Sequence, residues 1–302
     1  MSQQIYYPHL YLFVYNLRNG LGQNASKIAD NHKKFWEKLP PDLKVDQSAE
    51  EEYGYTENIV DLLTLHPDTK IKTHKFYAFQ EAEAEFNGFY YPVRLNDTYG
   101  LLFSFSVNEQ SKTTPKDISD FGKRRDFPKT EQASKFSSSN DLGKTWMLAG
   151  YLPPDFIKLE ENKEKELEEK AKTIASEAYE KFTGNKWQYY ENGKFLNGWI
   201  FEVWQSPHNW ENLDENRHVL IIIYTSLEGL EKSAQFYEHW LRLFSYRNKV
   251  LSAYSNYQSN NEKIVKANKN SERESFYPTL PEDLEQLKKA LIDNRVSSSN
   301  LV

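Results

Sequence analysis

Asn96-Asp97-Thr98-Tyr99-Gly100-Leu101-Leu102-Phe103-Ser104-Phe105-Ser106-Val107 is the stretch whose reading decides the fold. A turn dipeptide, Asn96-Asp97, is followed by an aromatic and aliphatic run without proline or charge, which reads as a buried β-strand. Immediately upstream, Ala82, Ala84 and Phe86 alternate with Glu81, Glu83 and Glu85, the period of a strand with one wet face. Asn87-Gly88 supplies the positive φ angles of a two-residue hairpin turn, so the return strand is expected to start at Phe89-Tyr90-Tyr91. Residues 76–107 thus predict consecutive antiparallel strands. The three glutamates could be imagined as a carboxylate site; strand alternation instead places all of them on the solvated face.

Working outward, Leu10-Tyr11-Leu12-Phe13-Val14-Tyr15 predicts a strand that ends at Asn19-Gly20-Leu21-Gly22. Ala25, Ile28, Ala29, His32, Phe35, Trp36 and Leu39 then recur at three- and four-residue steps, from an Asn24 cap to Pro40-Pro41, as an amphipathic helix does. Asn24-Ala25-Ser26 matches a glycosylation sequon, but at a cytosolic helix start it is a chance match. A short second helix is expected over 57–65, before Pro67. Residues 108–143, rich in Ser, Thr, Lys, Asp and Asn and containing Pro115 and Pro128, predict a long mobile loop.

Lys144 to Leu152 predicts a strand stopped by Pro153-Pro154. A charged helix follows, with Leu167, Ala171, Ile174, Ala175, Ala178 and Phe182 on one face and Gly184 beyond its end. A hairpin of Lys186–Tyr190 and Leu196–Gln205 is expected to turn near Asn192-Gly193, and His218 to Tyr224 is apolar enough for a central strand. From Ser226 a helix carries Leu227, Leu230, Ala234, Tyr237, Leu241 and Phe244, and runs toward Asn261 as intramolecular packing rather than coiled coil. Phe276-Tyr277-Pro278 breaks it, a short helix from Pro281 to Asp293 carries Leu284, Leu287 and Leu291, and a polar tail, Ser297 to Asn300, is expected to be disordered.

The fold class expected is therefore α+β: an antiparallel sheet with helices packed on one face, related to the ferredoxin-like arrangement. Leu10–Val14 and Trp146–Leu152, each before a helix, admit two similar halves. The domain reading is an N-terminal α+β half over 1–152, a second α+β half over 153–225 and a helical region over 226–302.

Composition narrows function. The chain of 302 residues holds 7 Trp, 20 Tyr and 18 Phe and no Cys, which excludes disulfides, thiolate catalysis and zinc–thiolate sites. A net charge of −6 gives no global attraction to nucleic acid, and Lys123-Arg124-Arg125 is too short a basic run to change that reading. No segment has the ~20 apolar residues of a membrane span and the N-terminus lacks a signal-peptide pattern, so a cytoplasmic location is expected.

His9, His32, His66, His74, His208, His218 and His239 include no pair at zinc-helix spacing, and neither a Gly-x-Ser-x-Gly elbow nor a phosphate-cradling glycine loop is present. No cofactor, metal or catalytic set is expected. Trp204-Gln205-Ser206-Pro207-His208-Asn209-Trp210 could frame a small ligand between its two indoles, making Trp204, His208 and Trp210 the ligand candidates against a plain strand connection. Trp240, Tyr246, Arg247, Tyr254 and Tyr257, set among Ser and Asn, are the partner-binding candidates, because such side chains most often anchor interfaces. The alternative is that the helix of Leu284, Leu287 and Leu291 folds back over them.

Asp97-Thr98-Tyr99-Gly100-Leu101-Leu102 and Leu142-Gly143-Lys144-Thr145-Trp146-Met147-Leu148-Ala149-Gly150 resemble strands of the bacterial caspase and tetratricopeptide-repeat associated (CATRA) conflict-system proteins. Tyr11-Leu12-Phe13-Val14-Tyr15, followed by a helix ending in Phe35-Trp36, is similar as well, and the likeness covers roughly the first half of the chain. The resemblance implies a non-catalytic component of a prokaryotic immune system that works through a caspase-like or repeat-containing protein partner. An enzyme with an unrecognised carboxylate or His site, or a homo-oligomer built through the terminal helices, are the competing expectations.

Overall fold

The computed structural model describes residues 3–20, 23–39, 59–63, 77–80, 86–107, 111–118, 142–152, 164–188, 190–207, 216–275 and 289. They form two compact units, one of residues 1–206 with 216–248 and one of residues 207–215 with 249–302. The first holds one ten-stranded, almost wholly antiparallel sheet, and the fold is α+β.

Strand β1 (Gln4–Leu17) lies at its centre, with β5 (Thr98–Val107) on one side and β7 (Gly143–Tyr151) on the other. On the β5 side follow β4 (Phe86–Leu95), then β2 (Val60–Asp61) and β3 (Tyr77–Gln80), both paired to β4; β6 (Pro115–Asp117) pairs with Gln4–Tyr6 of β1. On the β7 side follow β10 (Arg217–Tyr224), β9 (Gly198–Gln205) and β8 (Glu191–Phe195). Among the described strands only β7 and β10 run parallel. The interior position of β10 agrees with its seven consecutive buried residues, His218 to Tyr224.

Side-chain alternation gives the sheet two apolar faces. Leu12, Phe103, Leu148, Phe201 and Ile221 point to the face covered by α1 (Ala25–Trp36) and α2 (Glu164–Thr183). Asn24 caps α1, its Oδ1 accepting from the Lys27 amide at 2.9 Å, and Phe35 stacks on Tyr99 with centroids 4.4 Å apart. The α2 face predicted from Ala171, Ile174, Ala175, Ala178 and Phe182 is the buried one, and three alanines let the helix lie close to the strands. It ends where Gly184 takes φ 77° and donates to the Glu180 carbonyl at 2.8 Å.

The second face, with Tyr11, Phe13, Met147, Leu220 and Ile222, is covered by α3 (Leu227–Ser233) and the start of α4 (Tyr237–Ser275), so helices pack on both faces. A 3₁₀ turn, Ala234–Phe236, separates α3 from α4, and Leu230, Leu241 and Phe244 form the buried stripe. Tyr15 donates its hydroxyl to the Leu241 carbonyl at 2.9 Å.

Several local expectations are corrected. Asn87-Gly88 is no turn: both residues lie inside β4, paired with Ser106 and Phe105, and the Glu81–Glu85 segment is outside the described residues. Asn192-Gly193 likewise sits within β8, paired with Phe201 and Ile200, and the turn falls at Leu196-Asn197; Lys186–Gln188 form no strand. Val60–Asp61, expected to be helical, pairs with Arg94 and Val93 as an edge strand, and the Tyr91 hydroxyl donates to Asp61 at 2.6 Å. Within the supposed mobile loop, β6 joins the sheet and Ile118 is fully buried, because the exposed edge of Gln4–Tyr6 recruits it. Lys123-Arg124-Arg125, the short helix near Leu284, Leu287 and Leu291 apart from Lys289, and the polar tail lie outside the described residues.

Candidate functional site

The nominated residues Trp204, Trp240 and Arg247 belong to the first unit, on the second face of the sheet. Trp204 projects from β9, and its indole Nε1 donates to Asn216 Oδ1 at 2.7 Å, which fixes the ring. The Arg247 guanidinium of α4 lies over that ring, 5.4 Å from its centroid. Burial lowers the Arg247 pKa to about 10, opposed by the charge of Glu202, so the cation still persists at neutral pH. Trp240 stacks on Phe244 at 5.5 Å and meets Phe195 edge-on at 5.2 Å, and is therefore largely spent on packing. His208 and Trp210 lie outside the described residues.

Next to Trp204, three neighbouring strands carry a hydrogen-bonded row absent from the sequence-derived candidates. Glu202 on β9 is 2.9 Å from His218 Nε2, and His218 Nδ1 on β10 is 2.9 Å from the Thr145 hydroxyl on β7. Burial holds the His218 pKa below its usual value against the opposing hydrogen bond to Glu202, and the Arg247 charge lowers it further. Neutral imidazole then has one arrangement that satisfies both neighbours: Nε2–H donates to the carboxylate and Nδ1 accepts from Thr145. The hydrogen bond from His218 lowers the pKa of Glu202.

Acid, imidazole and hydroxyl in a row have the connectivity of a nucleophile relay. The order relative to solvent is reversed, however. Thr145 is 0% exposed, whereas the Glu202 side chain is 46% exposed. A substrate carbonyl has no approach to the Thr145 oxygen, so the row ties β7, β10 and β9 together beneath Phe244, whose ring meets His218 edge-on at 5.6 Å. The only signal for it in the sequence was a His beginning an otherwise apolar strand, which alternation alone cannot pair with residues 145 and 202.

A cleft of about 370 Å³ adjoins the C-terminal end of β9, lined by Tyr179, Asn185, Lys186, Gln188, Val203, Trp204 and Gln205. Among the described residues no group of three or more His, Asp or Glu side chains is placed to hold a metal ion, and no helix is long and apolar enough to cross a membrane.

The remaining nominated residues lie on the exposed side of α4. In the first unit Tyr246 is 62% exposed. In the second, Tyr254 and Tyr257 are 43% and 55% exposed, beside Val250, which was not among the candidates and is 67% exposed, and Gln258 donates to the Tyr254 hydroxyl at 2.6 Å. Steps of four and three residues put these three on one helix face. Compared with known proteins, the chain matches no family model and no curated sequence.

Proposed function

We propose that this chain is a non-catalytic adaptor or sensor that acts through protein–protein contact, in a cytoplasmic bacterial immune system where its partner is a caspase-like or repeat-containing protein. The observation that carries the contact reading is the exposed row Val250, Tyr254 and Tyr257 on α4. Large aromatics cost apolar hydration when left in water, and they are the side chains that most often supply interface hot spots. The inward-facing Thr145 hydroxyl supports the non-catalytic part, since the best acid–His–hydroxyl row is built into the sheet. The conflict-system assignment rests on the likeness of the Asp97–Leu102 and Leu142–Gly150 motifs.

The test is co-purification of the tagged chain from its native cell followed by mass spectrometry, with the double variant Tyr254→Ala/Tyr257→Ala beside it. The expected outcome is a caspase-like or repeat protein lost from the variant while the melting temperature shifts by less than about 2 °C, since exposed positions contribute within roughly 0.5 kcal/mol. A destabilised variant would mean that the tyrosines pack internally. One observation favours a second reading, self-association: Val250 and Tyr257 stand seven residues apart, the repeat of a helical seam. Sedimentation of the purified chain alone separates the two.

A further inference from the structure

The cleft beside β9 touches three consecutive strand residues, Val203, Trp204 and Gln205. Successive strand side chains point to opposite faces. Val203 is packed in the core under α2, while the Trp204 indole is on the other face, bonded to Asn216 and overlaid by Arg247. A cleft bordered by all three must therefore meet the strand at its backbone edge.

Among the described residues, that edge carries no strand pairing. On one side β9 is paired to β10 through Val203–Val219, Trp204–His218 and Gln205–Arg217. On the other, the ladder with β8 ends at Glu202–Glu191. Asn185, Lys186 and Gln188, with Tyr179, line the rest of the cleft.

We propose that an extended, acidic peptide segment of a partner protein binds here by β-addition, continuing the lane of β8 antiparallel to β9. The occupant is set by what the lane offers. An unpaired strand edge presents alternating N–H and C=O groups, which an extended backbone satisfies and a compact small molecule does not. The cleft meets β9 at Val203, Trp204 and Gln205, and about 370 Å³ lies within the ordinary size of a binding cleft. Among the described residues that line it, Lys186 is the one that carries a charge, so an acidic side chain is the complementary one. Binding in this cleft does not depend on the α4 row.

The experiment is an amide NMR titration of the full chain with acetyl-Glu-Val-Thr-Val-amide as the probe. Two comparison peptides are used: one N-methylated along its backbone, one with Lys in place of Glu. Shifts concentrated at the Val203, Trp204 and Gln205 amides and lost with the N-methylated peptide are expected. The Glu peptide should bind two- to five-fold more tightly than the Lys peptide, roughly the worth of one exposed ion pair. Lys186→Glu, a surface change, should reverse that order. Absence of shifts at those amides at millimolar peptide, equal binding of the N-methylated peptide, or indifference to the charge at residue 186 would each overturn the proposal.

Discussion

His218 shows how much a single buried side chain decides. Its two hydrogen bonds require neutral imidazole with the proton on Nε2, and both burial and the Arg247 charge oppose protonation. A histidine whose folded pKa is lowered stabilises the fold fully above its unfolded value, about 6.5, and loses that contribution as pH falls below it. Glu202, also lowered in the folded state, acts in the same sense at lower pH. Thermal melting should therefore drop between pH 7.5 and 5.5, and His218→Gln should flatten that slope while costing roughly 1–3 kcal/mol at pH 7.5 through the hydrogen bonds it disturbs. An unchanged slope in the variant would place the acid sensitivity elsewhere. Leu196 is the converse case. It occupies the left-handed region at φ 54° and is 42% exposed, so little burial compensates the strain. Leu196→Asn should stabilise the chain by about 0.5–1 kcal/mol in urea unfolding, because Asn tolerates that conformation.

At the scale of elements, what could be read from the sequence was whatever depends on local periodicity. The strands around Leu10–Tyr15, Tyr99–Val107 and His218–Tyr224, the Asn24 cap and the α2 stripe all carry their signal within a few residues. The turns at Asn87-Gly88 and Asn192-Gly193 misled because a dipeptide records permission for positive φ, not the demand for it. Gly193 has ordinary room for a Cβ, with Ile200 at 3.7 Å, whereas Gly198 just past the real turn would drive a Cβ to 2.6 Å from the Ile223 carbonyl oxygen. Backbone packing against β10 chose that glycine, and no local pattern reports it. Edge strands β2 and β6 were illegible for the same reason: two or three residues join a sheet through distant partners. The Glu202–His218–Thr145 row also depends on strand order. The α2 stripe, by contrast, supports a firm prediction. Phe182 is 3% exposed and meets the Trp146 ring at 5.1 Å, so Phe182→Ala should cost about 3–5 kcal/mol, read from the denaturation midpoint at unchanged slope.

The first unit as a whole is organised around the antiparallel neighbours β1 and β7, whose register sets Leu12 opposite Trp146. Each is a strand followed by a helix on the same face, as the likeness of Leu10–Val14 to Trp146–Leu152 suggested, yet they are joined in one sheet. Both cores mix residues from either side of that seam: Leu12 and Phe103 with Leu148 and Ile221 on one face, Tyr11 and Phe13 with Met147 and Phe244 on the other. Cutting the chain between Ile118 and Leu142 would strip β1 of its ladder with β7 and leave both central strands as long apolar edges. Such edges associate or aggregate instead of standing in water. Expressed separately, residues 1–118 and 142–302 should each lack a cooperative thermal transition. Mixed, they should recover one, with the Tyr15 hydroxyl again bonded to the Leu241 carbonyl and the Phe13 ring against Phe244, 4.9 Å between centroids in the intact chain. A cooperative melt from residues 1–118 alone would show that the N-terminal strands are sufficient, and the β1–β7 seam would then be a junction between two independently stable halves.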